Sequence, residues 1–198
     1  LLVVDEVQCG MGRTGKLWAI EHAGVVPDLL LTAKSLAAGM PLSAVVGRAE
    51  VMQAPHPGGL GGTYSGNPLA CVAALQAIAQ ISEPAFLQRS ARLGERLRGR
   101  LLAIQARHPS FVGDVRGLGS MLAIELVRDP VGKQPWVEAT QAVNAETLQR
   151  GLITIRAGLH SNCVRFLPPL DLPDEQFAEA MTVLDHSIDA VAARLRPA

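Results

Sequence analysis

The chain has 198 residues, with 18 basic and 18 acidic side chains and a hydrophobic fraction of 48%. This composition excludes an intrinsically disordered protein, because so much apolar surface can offset the entropy cost of ordering the chain. The zero net charge argues against a nucleic-acid-binding protein, since such a protein uses basic residues to neutralise phosphates. No uncharged apolar run approaches the roughly 20 residues that span a bilayer, so we expect no membrane partner.

The first half of the chain is predicted to alternate short strands with helices. It opens without methionine on an apolar run over 1–5 whose last residue, Asp5, is the first of two consecutive acids, a pattern typical of a parallel strand buried on both faces. Because a natural N-terminus is usually polar, we expect the chain to be a fragment of a longer protein. Further strands are expected at 29–32 and 43–47. A short helix is predicted over 17–23, and another begins at Asn67-Pro68.

The second half has a different pattern, and we predict a separate domain there. The predicted helices cover 84–107, 137–149 and 174–196, the last capped by Asp174, and the predicted strands cover 112–118, 121–126, 152–156 and 163–167. The fold class is therefore α/β. We expect residues 1–82 to form part of a mostly parallel sheet with helices and residues 83–198 to form a smaller α+β domain.

The cysteines and histidines favour a reducing compartment and no metal centre. Cys9, Cys71 and Cys163 form no CxxC pair and are odd in number, which argues against a disulfide framework and a structural zinc site. The five histidines show no HxxxH spacing, so we predict no metal ligands among them. A cytoplasmic location is the expectation that follows.

A glycine run, Gly10-Met11-Gly12-Arg13-Thr14-Gly15, matches the GxGxxG fingerprint of dinucleotide-binding folds. Four residues separate it from the end of the predicted strand, whereas the fingerprint needs its first glycine at the strand end. Asp28 also precedes a strand instead of ending one. We favour a plain loop, and an NAD-dependent oxidoreductase remains the alternative from another class.

Asp5 and Lys34 each follow a short apolar strand. Ligands of open α/β sheets bind at the carboxyl ends of the strands, so both side chains are candidates for one site. A lysine can form a Schiff base with the aldehyde of pyridoxal phosphate, while a carboxylate keeps the pyridine nitrogen protonated. An ordinary surface lysine beside a strand-end acid remains the alternative that spacing alone favours.

Two further features point to anionic ligands. The glycine-rich segment 58–66 contains Thr63 and leads into the helix at Asn67-Pro68, an arrangement that suits a phosphate. Arg165 lies within an apolar strand and needs an anionic partner, which is either a substrate carboxylate or one of the chain's own acids.

Seven short motifs occur in a fixed order along the chain. They are Asp5-Glu6-Val7-Gln8, Gly12-Arg13-Thr14-Gly15, Ala33-Lys34-Ser35, Gly39-Met40-Pro41, Gly61-Gly62-Thr63-Tyr64, Gly113-Asp114-Val115-Arg116-Gly117 and Val164-Arg165-Phe166. Together they resemble the class-III aminotransferases, which are pyridoxal-phosphate enzymes of fold type I. Within that family the resemblance is to bacterial 4-aminobutyrate aminotransferases in particular, and it covers essentially the whole chain.

The resemblance implies a role for each matched cofactor residue. Asp5 corresponds to the carboxylate that pairs with the pyridine nitrogen, and Val7 to the residue that packs on the ring. Gln8 corresponds to the side chain that hydrogen-bonds the phenolic oxygen. Lys34 corresponds to the Schiff-base lysine that also moves the substrate proton. Thr63 corresponds to the hydroxyl that binds the neighbouring subunit's cofactor phosphate, which implies a homodimer with shared active sites.

The same resemblance implies the reaction. Arg165 corresponds to the arginine that holds the α-carboxylate of glutamate or 2-oxoglutarate. The expected activity transfers the amino group of an ω-amino acid, 4-aminobutyrate, to 2-oxoglutarate and gives succinate semialdehyde and glutamate. Alternatives are another class-III reaction on ornithine, acetylornithine or diaminobutyrate, and an inactive truncated remnant. Other parts of the family's site would precede Leu1, so we expect the 198 residues alone to be inactive or incomplete.

Overall fold

The computed structural model describes residues 1–195, which form two compact units. The first is Leu1–Ala91 and the second begins at Arg92. The units divide inside a helix, Pro84–Arg107, that is continuous through the boundary. The sequence predicts a division into domains 1–82 and 83–198, at the point where the residue pattern changes. That domain division stays a prediction.

The first unit contains a three-stranded sheet in the order β1 (Val3–Asp5), β2 (Leu29–Thr32) and β3 (Ala44–Gly47). The β1–β2 pair is parallel, as predicted, whereas β3 runs antiparallel to β2. Parallel pairing needs a long crossover, and the connection from β2 to β3 is too short to supply one. The prediction of burial on both faces of β1 is also wrong for the described chain, because Val3 is 51% exposed there.

Helical turns and two helices complete the first unit. Two 3₁₀ turns, Ala19–Ala23 and Lys34–Ala37, follow β1 and β2, and the one-turn helix α1 (Ala49–Met52) follows β3. The predicted start of α2 (Pro68–Ile81) is confirmed, because the Asn67 side chain accepts hydrogen bonds from the first-turn amides. The core of this unit consists of Met11, Leu36, Ala37 and Ala74.

The second unit is built on a four-stranded antiparallel sheet. Its strand order is β4 (Val112–Leu118), β5 (Met121–Leu126), β7 (Cys163–Phe166) and β6 (Ile155–Ala157). The helices are α3 (Pro84–Arg107), which enters this unit at Arg92, α4 (Val137–Gln149) and α5 (Asp174–Arg194). Their apolar faces and the sheet enclose one core that includes Leu101, Ile124, Val164 and Leu184.

The ends of the second unit's elements correct two predictions. The last strand pair begins at Ile155 instead of residue 152. Pro173, not Asp174, occupies the N-cap position of α5 and provides no side-chain cap, while the Asp174 carboxylate pairs with Arg96 on α3. The last residue of the predicted helix, 196, lies outside the described residues.

Between residues 1 and 195, no single helix is both long and apolar enough to cross a bilayer. Two consecutive helices, Pro68–Ile81 and Pro84–Arg107, reach the length and composition of a span only when they are counted together, and a sharp bend separates them.

Candidate active site

The parallel pair β1–β2 brings Asp5 and Lys34 to one edge of the sheet. Asp5 is the last residue of β1 and is paired in register with Leu31, and Lys34 comes three residues later in the chain. The Asp5 Oδ1 atom accepts a hydrogen bond of 2.9 Å from the backbone amide of Val7. This bond turns the chain immediately after the strand, as aspartate side chains commonly do. The sequence prediction that the two residues share an edge is therefore met by the strand register.

Lys34 has a backbone conformation that lysine rarely adopts. Its φ angle is 48°, in the left-handed region, which costs a non-glycine residue about 1–3 kcal/mol. The side chain is exposed, while Leu36 and Ala37 in the same 3₁₀ turn are buried in the core of the unit. The turn is thus held by its buried residues, and the lysine is presented to solvent. Strained residues that the fold holds in place cluster at functional sites.

Thr32 is a second unusual group beside the lysine. The residue is buried at the end of β2, and its Oγ1 atom has no hydrogen-bond partner. A buried hydroxyl without a partner is costly, so such atoms in native proteins call for an explanation. Its position two residues before Lys34 places it next to the proposed cofactor edge.

The glycine run 10–15 forms a packed loop and does not lead from a strand into a helix. Gly10 is buried, and a Cβ atom there would lie 2.7 Å from the Trp18 ring and 2.8 Å from the Glu6 carbonyl oxygen. Gly15 has a φ angle of 84°, and a Cβ there would lie 3.0 Å from Ala91 Cβ. The Ser90 hydroxyl donates a 2.6 Å hydrogen bond to the Gly12 carbonyl. The glycines therefore permit close packing, in agreement with the favoured loop interpretation.

Thr63 lies in an exposed loop that borders an open pocket of about 540 Å³. The other lining residues are Pro41, Leu42, Ser43, Gly62, Tyr64, Ser65 and Gly66. Gly58 and Gly66 have positive φ angles, which a side chain would oppose. The loop therefore presents hydroxyl groups beside the segment that follows the Lys34 turn.

Arg165 lies in the second unit, in the middle of β7. It pairs in register with Ala123 of β5 and Ile155 of β6. The residue is half-buried and lines a pocket of about 260 Å³ whose other walls are mainly aliphatic, including Leu152, Pro168 and Met181. A guanidinium group in such a setting binds a carboxylate more strongly than one in bulk water.

Sequence reasoning gave Glu6 no role of its own. In the structure Glu6, which stands between Asp5 and Val7 in the chain, is only 1% exposed. The alternation of side chains along a strand is the signal that could have revealed it, because two consecutive acids cannot both face the same side.

The sequence of this chain is similar to those of known proteins. The sequence profile of the family described as aminotransferase class-III matches residues 1–188. The chain is 47% identical over 189 residues to the 4-aminobutyrate aminotransferase GabT of Escherichia coli (strain K12). This alignment covers 96% of this chain and 44% of that protein. It is 46% identical over 192 residues to the 5-aminovalerate aminotransferase DavT of Pseudomonas aeruginosa, with 97% of this chain and 45% of that protein covered.

Solved structures give the same result for the fold. The omega transaminase from Pseudomonas jessenii in complex with PMP superimposes with a TM-score of 0.89 at 31% identity, over 100% of this chain and 45% of that one. An ornithine aminotransferase from Toxoplasma gondii superimposes with a TM-score of 0.85 at 36% identity, over 98% and 44%. The fold is thus that of the fold type I pyridoxal-phosphate transferases. The chain belongs to the class-III aminotransferases, and it spans about 45% of the length of the curated relatives it matches.

Class-III aminotransferases use pyridoxal 5′-phosphate, and the residues of the first unit fit this cofactor. Its aldehyde needs a primary amine, which the strained and exposed Lys34 would supply. Its ring nitrogen needs a carboxylate, which Asp5 would supply at the same sheet edge. The buried Thr32 hydroxyl without a partner is a further polar atom at this edge.

Proposed function

We propose that the protein containing this chain transfers the amino group of an ω-amino acid, 4-aminobutyrate, to 2-oxoglutarate, giving succinate semialdehyde and glutamate. The observation that carries the proposal is Lys34, held in a left-handed conformation at the edge where Asp5 ends β1. The choice of amino donor is supported by the 47% identity to a 4-aminobutyrate aminotransferase.

The side chains of the first unit would hold the cofactor from several directions. Asp5 would accept a hydrogen bond from the protonated ring nitrogen, and Val7 would pack on the face of the ring. Gln8 would donate a hydrogen bond to the phenolic oxygen. Thr63 would donate its hydroxyl hydrogen bond to the phosphate of the partner subunit's cofactor. Bound there, the cofactor supplies an electron sink for the carbon that loses its proton.

Lys34 would have two tasks in the reaction. Its amine would carry the cofactor in the resting enzyme and would be released when the substrate amine takes its place. The free amine would then remove a proton from the amine-bearing substrate carbon and deliver it to the cofactor carbon, which is general acid–base catalysis. Arg165 would hold the α-carboxylate of 2-oxoglutarate or glutamate in the second half of the cycle.

The amino donor is tested by comparing four substrates with 2-oxoglutarate as acceptor. Steady-state assays of the full-length protein should give the highest kcat/KM with 4-aminobutyrate, ahead of 5-aminovalerate, ornithine and acetylornithine. One methylene in an apolar pocket is worth roughly 10- to 200-fold in specificity, so the first two substrates should be resolved clearly. A preference for 5-aminovalerate would favour the second candidate, which the 46% identity to a 5-aminovalerate aminotransferase supports.

The proposed homodimer is supported by the outward face of α2. Leu69, Val72 and Leu75 recur every three residues and remain exposed. The opposite face of the helix buries alanines and packs Ile78 and Ile81, both partly buried, against the core. An exposed apolar stripe of this kind marks an interaction surface, and it directly follows the Thr63 loop. A second copy packed on this stripe would bring that loop to the partner's cofactor.

Substituting Val72→Glu should separate the subunits. A charge buried at the interface without a partner costs several kcal/mol, so the dimer dissociation constant should rise at least about 100-fold. Sedimentation equilibrium of the full-length protein measures this change. Gln141→Glu places the same charge on an exposed position of α4 and should leave the dimer intact. A Val72→Glu protein with unchanged mass would show that α2 does not form the interface.

Two further assignments belong to the same proposal. Residues 1–82 would contribute the cofactor-binding part of the large domain, and residues 83–198 would form the small domain that carries Arg165. A cytoplasmic location would fit Cys9, Cys71 and Cys163, which are free thiols as expected of a reducing compartment.

A further inference from the structure

Glu6 has a buried carboxylate in the middle of the proposed cofactor segment. Its Oε2 atom accepts hydrogen bonds from the Cys9 thiol and from the backbone amide of Ala19, each at 3.0 Å. Its Oε1 atom accepts a 2.8 Å hydrogen bond from the backbone amide of Ile20. A buried carboxylate is stable only when such donors replace water, and here three donors do so.

The backbone of Glu6 is held as firmly as its side chain. Its amide donates a 2.9 Å hydrogen bond to the Leu31 carbonyl, which extends the β1–β2 pairing by one residue. Its carbonyl accepts a 3.0 Å hydrogen bond from the Gly10 amide. The residue is therefore tied to β2 on one side and to its own loop on the other. Rotating or shifting it would move both flanking residues.

The thiol of Cys9 is the one side-chain donor among these contacts. Burial and the neighbouring Glu6 carboxylate raise the pKa of this thiol to about 11. The thiol consequently stays protonated at neutral pH and donates its hydrogen to Glu6 and, at 3.3 Å, to the Asp5 carbonyl. The same side chain thus contacts Glu6 and the backbone of Asp5.

We propose that Glu6 is a positioning residue for the cofactor: its inward carboxylate fixes the segment from which Asp5, Val7 and Gln8 face the ring. The inference rests on the proposed function. Because the Glu6 amide continues the extended pairing of β1 with β2, the side chains of Asp5 and Glu6 point to opposite sides, and anchoring Glu6 inward directs Asp5 outward. Val7 and Gln8 follow in the turn that is closed by the hydrogen bond from the Gly10 amide to the Glu6 carbonyl. Glu6 touches no cofactor atom itself and acts through these neighbours. Preorganising contact residues through supporting hydrogen bonds is what keeps a binding site in its productive geometry.

The test is the variant Glu6→Gln in the full-length protein, with pyridoxal 5′-phosphate as the probe. The amide keeps the shape but presents N–H groups to a site lined by donors, so at least one hydrogen bond is lost. We expect the cofactor dissociation constant to rise about tenfold or more. We also expect the pH titration of the bound cofactor's absorbance to shift, because the Asp5 carboxylate no longer faces the ring nitrogen correctly.

Glu21→Gln is the matched control. The Glu21 carboxylate also accepts a backbone hydrogen bond in this loop, 2.7 Å from the Trp18 amide, but it does not adjoin Asp5. This variant should bind the cofactor with unchanged affinity and an unchanged titration curve. Equal losses in both variants would show that Glu6 only stabilises the loop, and wild-type behaviour of Glu6→Gln would likewise overturn the proposal.

A second pair of variants decides the matter if Glu6→Gln does not fold. Cys9→Ser keeps a donor to Glu6 and should preserve cofactor affinity and titration, whereas Cys9→Ala removes the donor and should weaken binding several-fold. Identical behaviour of the two would contradict the proposal. Absence of cofactor binding by the wild-type protein would instead contradict the proposed function, so the two failures are distinguishable.

Discussion

Replacing Lys34 by alanine in the full-length protein should abolish covalent cofactor attachment and transamination together. Under the proposed function the Lys34 amine attaches the cofactor aldehyde, and the other two lysines of the sequence, Lys16 and Lys133, lie outside the described β1 and β2 strands and the turn that follows β2. Loss of proton transfer alone lowers a rate by roughly 10²–10⁴-fold. Absorbance spectra of the purified protein with pyridoxal 5′-phosphate, and kcat with 4-aminobutyrate and 2-oxoglutarate, measure the two effects.

The control for Lys34→Ala is Lys16→Ala, because this lysine is exposed in the glycine loop. The chain contains three lysines, Lys16, Lys34 and Lys133. Borohydride reduction of the cofactor-loaded wild-type protein, followed by peptide mapping, should therefore label Lys34 and leave the other two unlabelled. Persistence of the covalent absorbance and activity in Lys34→Ala would remove the basis of the proposed function.

Replacing Arg165 by methionine should separate the two halves of the reaction. The variant keeps much of the side chain's volume in the aliphatic pocket but loses the guanidinium that would hold the α-carboxylate. Hydrogen bonds to charged groups contribute about 1.5–3 kcal/mol each, so kcat/KM for 2-oxoglutarate should fall by roughly 10- to 100-fold or more. The single-turnover rate with 4-aminobutyrate, which has no α-carboxylate, should change little.

Arg156→Met is the matched control, since Arg156 lies on the neighbouring strand β6 and is exposed. It should leave both half-reactions unchanged. Arg165→Lys should recover only part of the loss, because an ammonium group cannot form the two parallel hydrogen bonds of a guanidinium. If Arg165→Met slowed both half-reactions equally, the residue would support the domain and not the α-carboxylate.

Local signals predicted most of the elements in the described chain. Helix α3 begins at Pro84, and α4 ends just before Gly151, at the positions that proline and glycine favour in helices. The strand 29–32 was bounded correctly because an aspartate-containing turn precedes it. Such boundaries depend on residues a few positions apart, which is the range over which sequence patterns act.

Predictions failed where the answer depended on distant partners. The direction of β3 relative to β2 was missed, since an apolar run of four residues has the same pattern in parallel and antiparallel sheets. Asp174 was expected to cap α5, but Arg96 on another helix provides its partner. The burial of Glu6 was missed because two of its three donors come from residues 13 and 14 positions further along.

The sequence alone determined the candidate residues and their family, because Asp5, Lys34, Thr63 and Arg165 stand in motifs of adjacent residues whose chemistry is specific. The tertiary structure decided how these residues are held. The register of β1 on β2 brings Asp5 to the edge that Lys34 follows, and the buried turn after β2 keeps that lysine in a strained conformation. The burial of the Glu6 carboxylate also depends on the tertiary structure. Pairing, burial and strain arise only when segments distant in sequence pack together, and a linear pattern does not contain them.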